Sequence, residues 1–275
     1  MAKQYFPRLF STDSAKAAKA NGYGYLNAIH YMAPHDFGGA GSVCSHATPE
    51  CIAECLGWFS GQAAMTADLE HGTNSVRESR KLKAQLFMRA RPDYLNRLAR
   101  DILAMERKAR REGLALCVRL NGSSDIAWER LRFDCDARTI RALEKADRLG
   151  RLTYLSRVTL PELFPDIQFV DYTKNPNRMG KTPSNLHLTL SYSGRNEAEC
   201  VAALARGCNV AVIFGDGLPE TWNGYAVIDG DLHDLRHLDP RGSRGVVVGL
   251  APKGNKAKKS DSPFIVRGYQ EREAA

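Results

Sequence analysis

The sequence predicts an α/β fold, a full or partial parallel β/α barrel in a single domain. Three observations lead there. Seven apolar runs of strand length recur along the chain, helical patterns separate several of them, and 275 residues suffice to bury one large core. Near-continuous apolar strands alternating with helices indicate a parallel sheet covered on its faces. A doubly wound open sheet meets the same pattern, and periodicity does not separate the two.

The elements follow in order. Residues 1–24 read as an N-terminal extension, and YLNAIHYM (25–32) is the first strand. A loop rich in Pro, Gly and Cys comes next, then helical spacing over 50–70 and over 74–113, the latter interrupted by Pro92. LALCVRLNG (114–122) is the second strand, closed by Asn-Gly. Residues 136–149 read as a helix, with Asp136 near its start and Gly150 just past its end. IQFVDYTKN (167–175) and NLHLTLSYSG (185–194) continue the strands, and a short helix spans 197–207. NVAVIFGDG (209–217), YAVIDGD (225–231) and GVVVGLAPKG (245–254) complete the series. The barrel-like domain is therefore 25–254, with a cysteine loop at 44–55. Residues 255–275, which carry most of the basic run GNKAKKS (254–260), are expected to form a flexible basic tail.

Charge and cysteine usage narrow the class. The net charge is +8, and much of it is concentrated in residues 76–113, which include Arg77, Arg80, Lys81 and Lys83. Either this is a soluble basic protein with nothing to bind, or the stretch is an electrostatic footprint for phosphates, with nucleic acid or a nucleotide as the expected partner. No window approaches roughly eighteen consecutive apolar residues, so no membrane span is expected. The N-terminus lacks the apolar core of a secretory signal. Seven cysteines, an odd number in a chain this long, do not form a disulfide framework. The expected compartment is a reducing cytoplasm.

The passage GSVCSHATPECIAECLGW holds Cys44, Cys51 and Cys55, with six and then three residues between them. On a single helix Cys51 and Cys55 would share a face one turn apart, with Cys44 folding back from the preceding loop. Soft thiolates select zinc, cuprous copper or iron–sulfur clusters. A structural zinc needs about four ligands, for which His46 or a distant residue would have to serve. Three cysteines without a clear fourth suit a [4Fe–4S] cluster with one iron open to substrate or cofactor. Cys117, Cys135, Cys200 and Cys208 are scattered singly and read as small buried apolar residues.

In a parallel sheet the reactive groups gather at the carboxyl ends of the strands. Asp171 and Lys174 end the strand at 167–173, where an acid beside a cation orients a substrate or moves protons, or else forms a surface salt bridge. His187 alternates with apolar neighbours and is either a catalytic group or a hydrogen-bonded core residue. The acidic and histidine-rich run Asp229–Asp239 either binds a hard metal through oxygen and imidazole or, the favoured reading, is a solvated loop with local caps. No Walker-type phosphate loop, Gly-x-Ser-x-Gly elbow or His-Glu-x-x-His helix is present.

The strings VCSHATPECIAECLG, VRLNGSSDIAWE, FPDIQFVDYTKNPNR, NLHLTLSYSGRNE, GCNVAVIF, VIDGDLHDLRHLDP and GVVVGLAPKG together resemble the phage gene product 88-like family, from about Gly24 to Gly254. That family has no established activity to carry over. The cysteine loop is also similar to one in a phage family related to radical S-adenosylmethionine barrels, where the spacing is six residues, then two. By that resemblance the cysteines after the first barrel strand hold the cluster. Asn121, Gly122, Ser124 and Asp125, after the second strand, would contact the amino group of S-adenosylmethionine. The resulting expectation is an iron–sulfur enzyme, radical-enzyme-like, acting on a nucleotide, nucleic acid or related metabolite in the host cytoplasm. The alternative is a zinc-stabilised nucleic-acid-binding or host-interaction protein without catalysis.

Overall fold

In the computed structural model, which describes residues 7–151, 155–180 and 182–269, all seven apolar runs are strands of one sheet. They are β2 (Tyr25–His30), β3 (Ala115–Arg119), β4 (Gln168–Thr173), β5 (Leu186–Ser191), β6 (Val210–Phe214), β8 (Tyr225–Asp229) and β9 (Val247–Leu250). Three two-residue strands join them, β1 (Phe10–Ser11), β7 (Thr221–Trp222) and β10 (Ile265–Val266). The order across the sheet is β1-β2-β3-β4-β5-β6-β9-β8-β7, and its two ends do not meet. β1 on β2 and β7 on β8 are antiparallel; every other pairing is parallel. β9 sits between β6 and β8 although it follows both in sequence.

Alternation along the strands separates two faces. On one, Leu26, Ala28, Leu116, Val118, Phe169 and Leu188 share a core with Tyr94, Leu95, Leu98 and Ile102 of helix Arg91–Arg111. Their spacing of three and four is the apolar stripe that a helix needs to lie on a sheet. A second cluster places Leu190, Val210, Val212 and Val247 against Cys200, Ala203 and Leu204 of helix Glu197–Ala205. On the opposite face Cys117 and Val170 pack against Leu235, where the chain makes a 3-10 turn at Arg236–Leu238.

Local chemistry sets the helix ends. Asn74 caps Ser75–Arg89 by accepting from the Arg77 amide at 2.9 Å, and Pro92 lies in the first turn of Arg91–Arg111, where a missing N–H is harmless. Asp136 caps Ala137–Lys145 through the Thr139 amide at 2.6 Å.

Several expectations are corrected. The helix expected over 50–70 is broken into Pro49–Ala53 and Leu56–Phe59, followed by a 3-10 turn at Gly61–Ala64. Cys55, at φ −55° and ψ 103°, leaves helical geometry and begins the second piece, so Cys51 and Cys55 do not share one helix face. The residues expected as a flexible tail belong to the fold as far as Tyr269: Gly254–Lys259 is helical, and Phe264 and Ile265 are buried. Residues 270–275 lie outside the described residues.

The basic stretch is also less free than its composition suggests. Arg77 is fully buried and donates to the carbonyls of Ala63, Gly72 and Leu69 at 2.6–2.7 Å. Arg97, Arg100 and Arg110 pair with Asp101, Asp136 and Glu106. No helix among the described residues is long and apolar enough to cross a membrane.

Candidate functional site: a cysteine-lined cavity

Because the central strands run parallel, the loops that follow them open on one edge, and a cavity of about 720 Å³ lies there. Tyr31 follows β2, Asn121–Asp125 follow β3, Lys174 follows β4, and Tyr192 follows β5. Cys44, Cys51 and Cys55 all line this cavity.

Each cysteine is set by its own backbone. Cys44 makes an isolated parallel bridge with Asp125, whose amide donates to the Val43 carbonyl at 2.9 Å. Its sulfur accepts from the His35 amide at 3.2 Å. Cys51 lies in the helix capped by Thr48, whose hydroxyl accepts from the Cys51 amide at 3.2 Å and donates to the Ser193 carbonyl at 3.1 Å. That bond ties the helix to the end of β5. Cys55 turns the chain into Leu56–Phe59, and the Phe59 amide returns to its carbonyl at 2.8 Å. Gly57 then lies so close to Ser123 that a Cβ there would stand 2.4 Å from the Ser123 Cβ. Only glycine allows the cysteine loop and the 121–125 loop to touch at this point.

The thiols affect one another. Burial pushes Cys44 up to about 11; the His35 amide opposes this, while Asp125 and Cys51 add to it. Burial pushes Cys55 up to about 12, with Cys51 and Cys44 adding to it. Burial works against the charge on Lys174, but Cys51, Asp125 and the other two thiols outweigh it and raise its pKa above the ordinary lysine value. Three sulfurs and one cation therefore share a poorly solvated volume, in which Cys44 and Cys55 are protonated at neutral pH until something displaces their protons. Among the described residues, no group of three or more His, Cys, Asp or Glu side chains is placed to hold a metal ion. His46, considered as a fourth ligand, is exposed and bonded to Ser45.

The residues expected to touch a cofactor, Asn121, Gly122, Ser124 and Asp125, all line the cavity. The Asn121 side chain is committed elsewhere. Its Oδ1 accepts from the Ser124 hydroxyl, the Ile126 amide and the Trp128 indole at 2.8–3.0 Å, and its Nδ2 donates to the Ile126 carbonyl and to Asp171. Asp125 accepts from the Lys174 amide and from Arg178, which also grips Glu129 through two bonds of 2.9 Å. The polar loop is thus a scaffold pre-set by its own hydrogen bonds.

The three expected catalytic residues are not brought together. Lys174 lines the cavity. Asp171 lies behind its wall, accepting from the Asn121 amide at 2.8 Å and its side chain at 3.0 Å. Burial pushes it up to about 7, with Arg178, Arg119 and the Asn121 amide opposing. His187 is at the start of β5, away from the cavity, where burial and then Arg241, His237 and Arg236 push it down to about 3.

Sequence reasoning missed the floor and one wall. The run at 229–239, expected as a solvated loop, buries Asp234 completely against Arg119, 2.6 Å away, and the Tyr172 hydroxyl, 3.0 Å away. Arg119 and Tyr172 in turn line the cavity. The available signal was Arg119 itself, a charge inside an apolar strand that needs a buried partner. Arg80 and Lys83, noted only as part of the basic stretch, also face the cavity.

Neither any curated protein nor any solved structure matches the chain. The family model described as gene product 88 matches residues 8–268, so the chain belongs to the gene product 88 family that its strings resemble.

Proposed function

We propose that the protein is an iron–sulfur enzyme whose cluster is held by Cys44, Cys51 and Cys55, with the open parallel sheet serving as a partial β/α barrel. The supporting observation is that three cysteines from three separate backbone settings line one cavity at the carboxyl ends of parallel strands, beside Lys174. A zinc site needs its sulfurs gathered around a single ion. Three soft thiolates without a clear fourth ligand would suit an iron–sulfur cluster better than a four-coordinate zinc.

Cys44, Cys51 and Cys55 would hold such a cluster, which together with S-adenosylmethionine would supply one-electron chemistry that side chains cannot. Lys174 offsets the charge of thiolates that burial alone disfavours. Ile213, Leu250 and Phe264 give the cavity an apolar side that limits water. The Asn121–Asp171 and Arg178–Glu129 bonds hold the 121–125 loop against the cysteine loop, so that a ligand meets a formed surface.

Anaerobic purification and reconstitution with ferrous iron and sulfide test this reading. The expected product is brown and carries about four irons per chain. It loses both properties when the three cysteines are replaced by serine. Colourless protein without iron, or the same iron content in the triple variant, would overturn the cluster assignment. An electron paramagnetic resonance spectrum of the reduced protein that ignores added S-adenosylmethionine would remove that cofactor and leave the cluster.

A further inference from the structure

One wall of the cavity comes from a single helix. Ser75–Arg89 presents Ser75, Val76, Ser79, Arg80 and Lys83 to it, a stripe that follows the helical repeat. Two of these five are cations one turn apart, and they are poorly compensated. Lys83 is only 6% exposed, and its ammonium meets the Arg8 carbonyl at 3.4 Å. Arg80 donates to the Gly57 carbonyl and lies 4.6 Å from the centroid of the Tyr31 ring. Among the described residues, neither forms an ion pair with a carboxylate. The charge that acts on Lys83 is Arg80 itself, and Arg80 feels Tyr31, Cys55 and Arg77. Asp13, which also lines the cavity, is paired with Arg8.

Two adjacent cations withdrawn from water, with no counter-charge, destabilise the ligand-free protein. Burial, with Arg80 adding to it, pushes Lys83 down to about 8. A helix that keeps both charges on a cavity wall is built for a negative group that arrives with the ligand. We propose that Ser79, Arg80 and Lys83 bind the phosphate group of a phosphorylated small molecule that occupies this cavity.

A carboxylate would leave one of the two cations uncompensated, whereas a phosphate dianion matches both and offers an oxygen to the serine hydroxyl. A volume of about 720 Å³ accommodates a molecule of nucleotide size. With its phosphate on this helix, such a ligand would share the cavity with Lys174 and the three thiols. The inference rests on the cavity being the ligand site, and it names the substrate class for the proposed enzyme.

The test uses the full chain without iron, so that failure to form a cluster leaves the readout untouched. Thermal unfolding and calorimetry are followed with inorganic phosphate and pyrophosphate, with acetate as control at the same ionic strength. Phosphate and pyrophosphate are expected to bind at one site and raise Tm, and acetate is not. Lys83→Met, which removes the buried charge and keeps the stem, is expected to melt higher than the parent without ligand and to bind phosphate at least tenfold more weakly. Arg80→Met weakens binding similarly. An equal response to phosphate and acetate would overturn the proposal, as would unchanged phosphate affinity in Lys83→Met. A Lys83→Met protein that fails to fold would also overturn it, because the ammonium would then be satisfied by the fold.

Discussion

Replacing Asn121 by alanine separates a scaffold role from a ligand-contacting one. The side chain makes five hydrogen bonds at 2.8–3.0 Å, and the residue is 2% exposed. On truncation the Ser124 hydroxyl can turn to water in the cavity. The Trp128 indole and the Ile126 amide cannot, since Trp128 is 1% exposed and Ile126 9%. Two orphaned buried donors cost roughly 1–3 kcal/mol each, which gives a loss of about 4 kcal/mol. In a domain of this size that lowers Tm by roughly 10 °C. Urea unfolding monitored by tryptophan fluorescence measures the loss directly. A cost below about 1 kcal/mol would refute the scaffold argument and return Asn121 to the residues free to meet a cofactor.

Further outcomes follow from neighbouring contacts. Arg178→Met leaves Glu129, 3% exposed at its side chain, and Asp125 without their cation and should cost about 3–5 kcal/mol; denaturant unfolding checks it, and a cost near zero would contradict the buried pairing. Gly57→Ala drives a methyl into Ser123 and should cost roughly 1–3 kcal/mol while lowering iron uptake, read by melting temperature and elemental analysis. Asp171 predicts a pH dependence. The unfolded carboxyl ionises near pH 4 and the folded one at about 7, so between these values the native state holds the extra proton. Stability should therefore fall as pH rises from about 4 to 7, by an amount on the order of 4 kcal/mol, and level off above. Asp171→Asn should remove this slope, and an identical pH–stability profile in the variant would show that Asp171 does not titrate in that window.

Most of the sheet was legible because its strands are buried on both faces and so read as near-continuous apolar runs. β6, with all five residues buried, is the clearest case. β1, β7 and β10 were not legible, since two residues carry no period. Nor was the placement of β9 between β6 and β8, because periodicity describes a strand's faces and not its neighbours. The cysteines were legible as a group from their spacing. Their geometry was not, since helical spacing through 50–70 hides the break at Cys55, which only the backbone angles reveal. The buried role of Asp234 was hidden because its partner Arg119 lies 115 positions away.

The late insertion of β9 has a consequence for synthesis on the ribosome. A nascent chain that has emerged only as far as Asp229 carries β6, five consecutive buried-type residues, with the edge meant for β9 still vacant. β8, though it can pair with β7, cannot join the rest of the sheet, because β9, which links it to β6, has yet to be made. Until Val247–Leu250 leaves the exit tunnel, that apolar edge is open to pairing with other chains. Holdase chaperones should therefore act on this protein mainly between the emergence of β6 and that of β9.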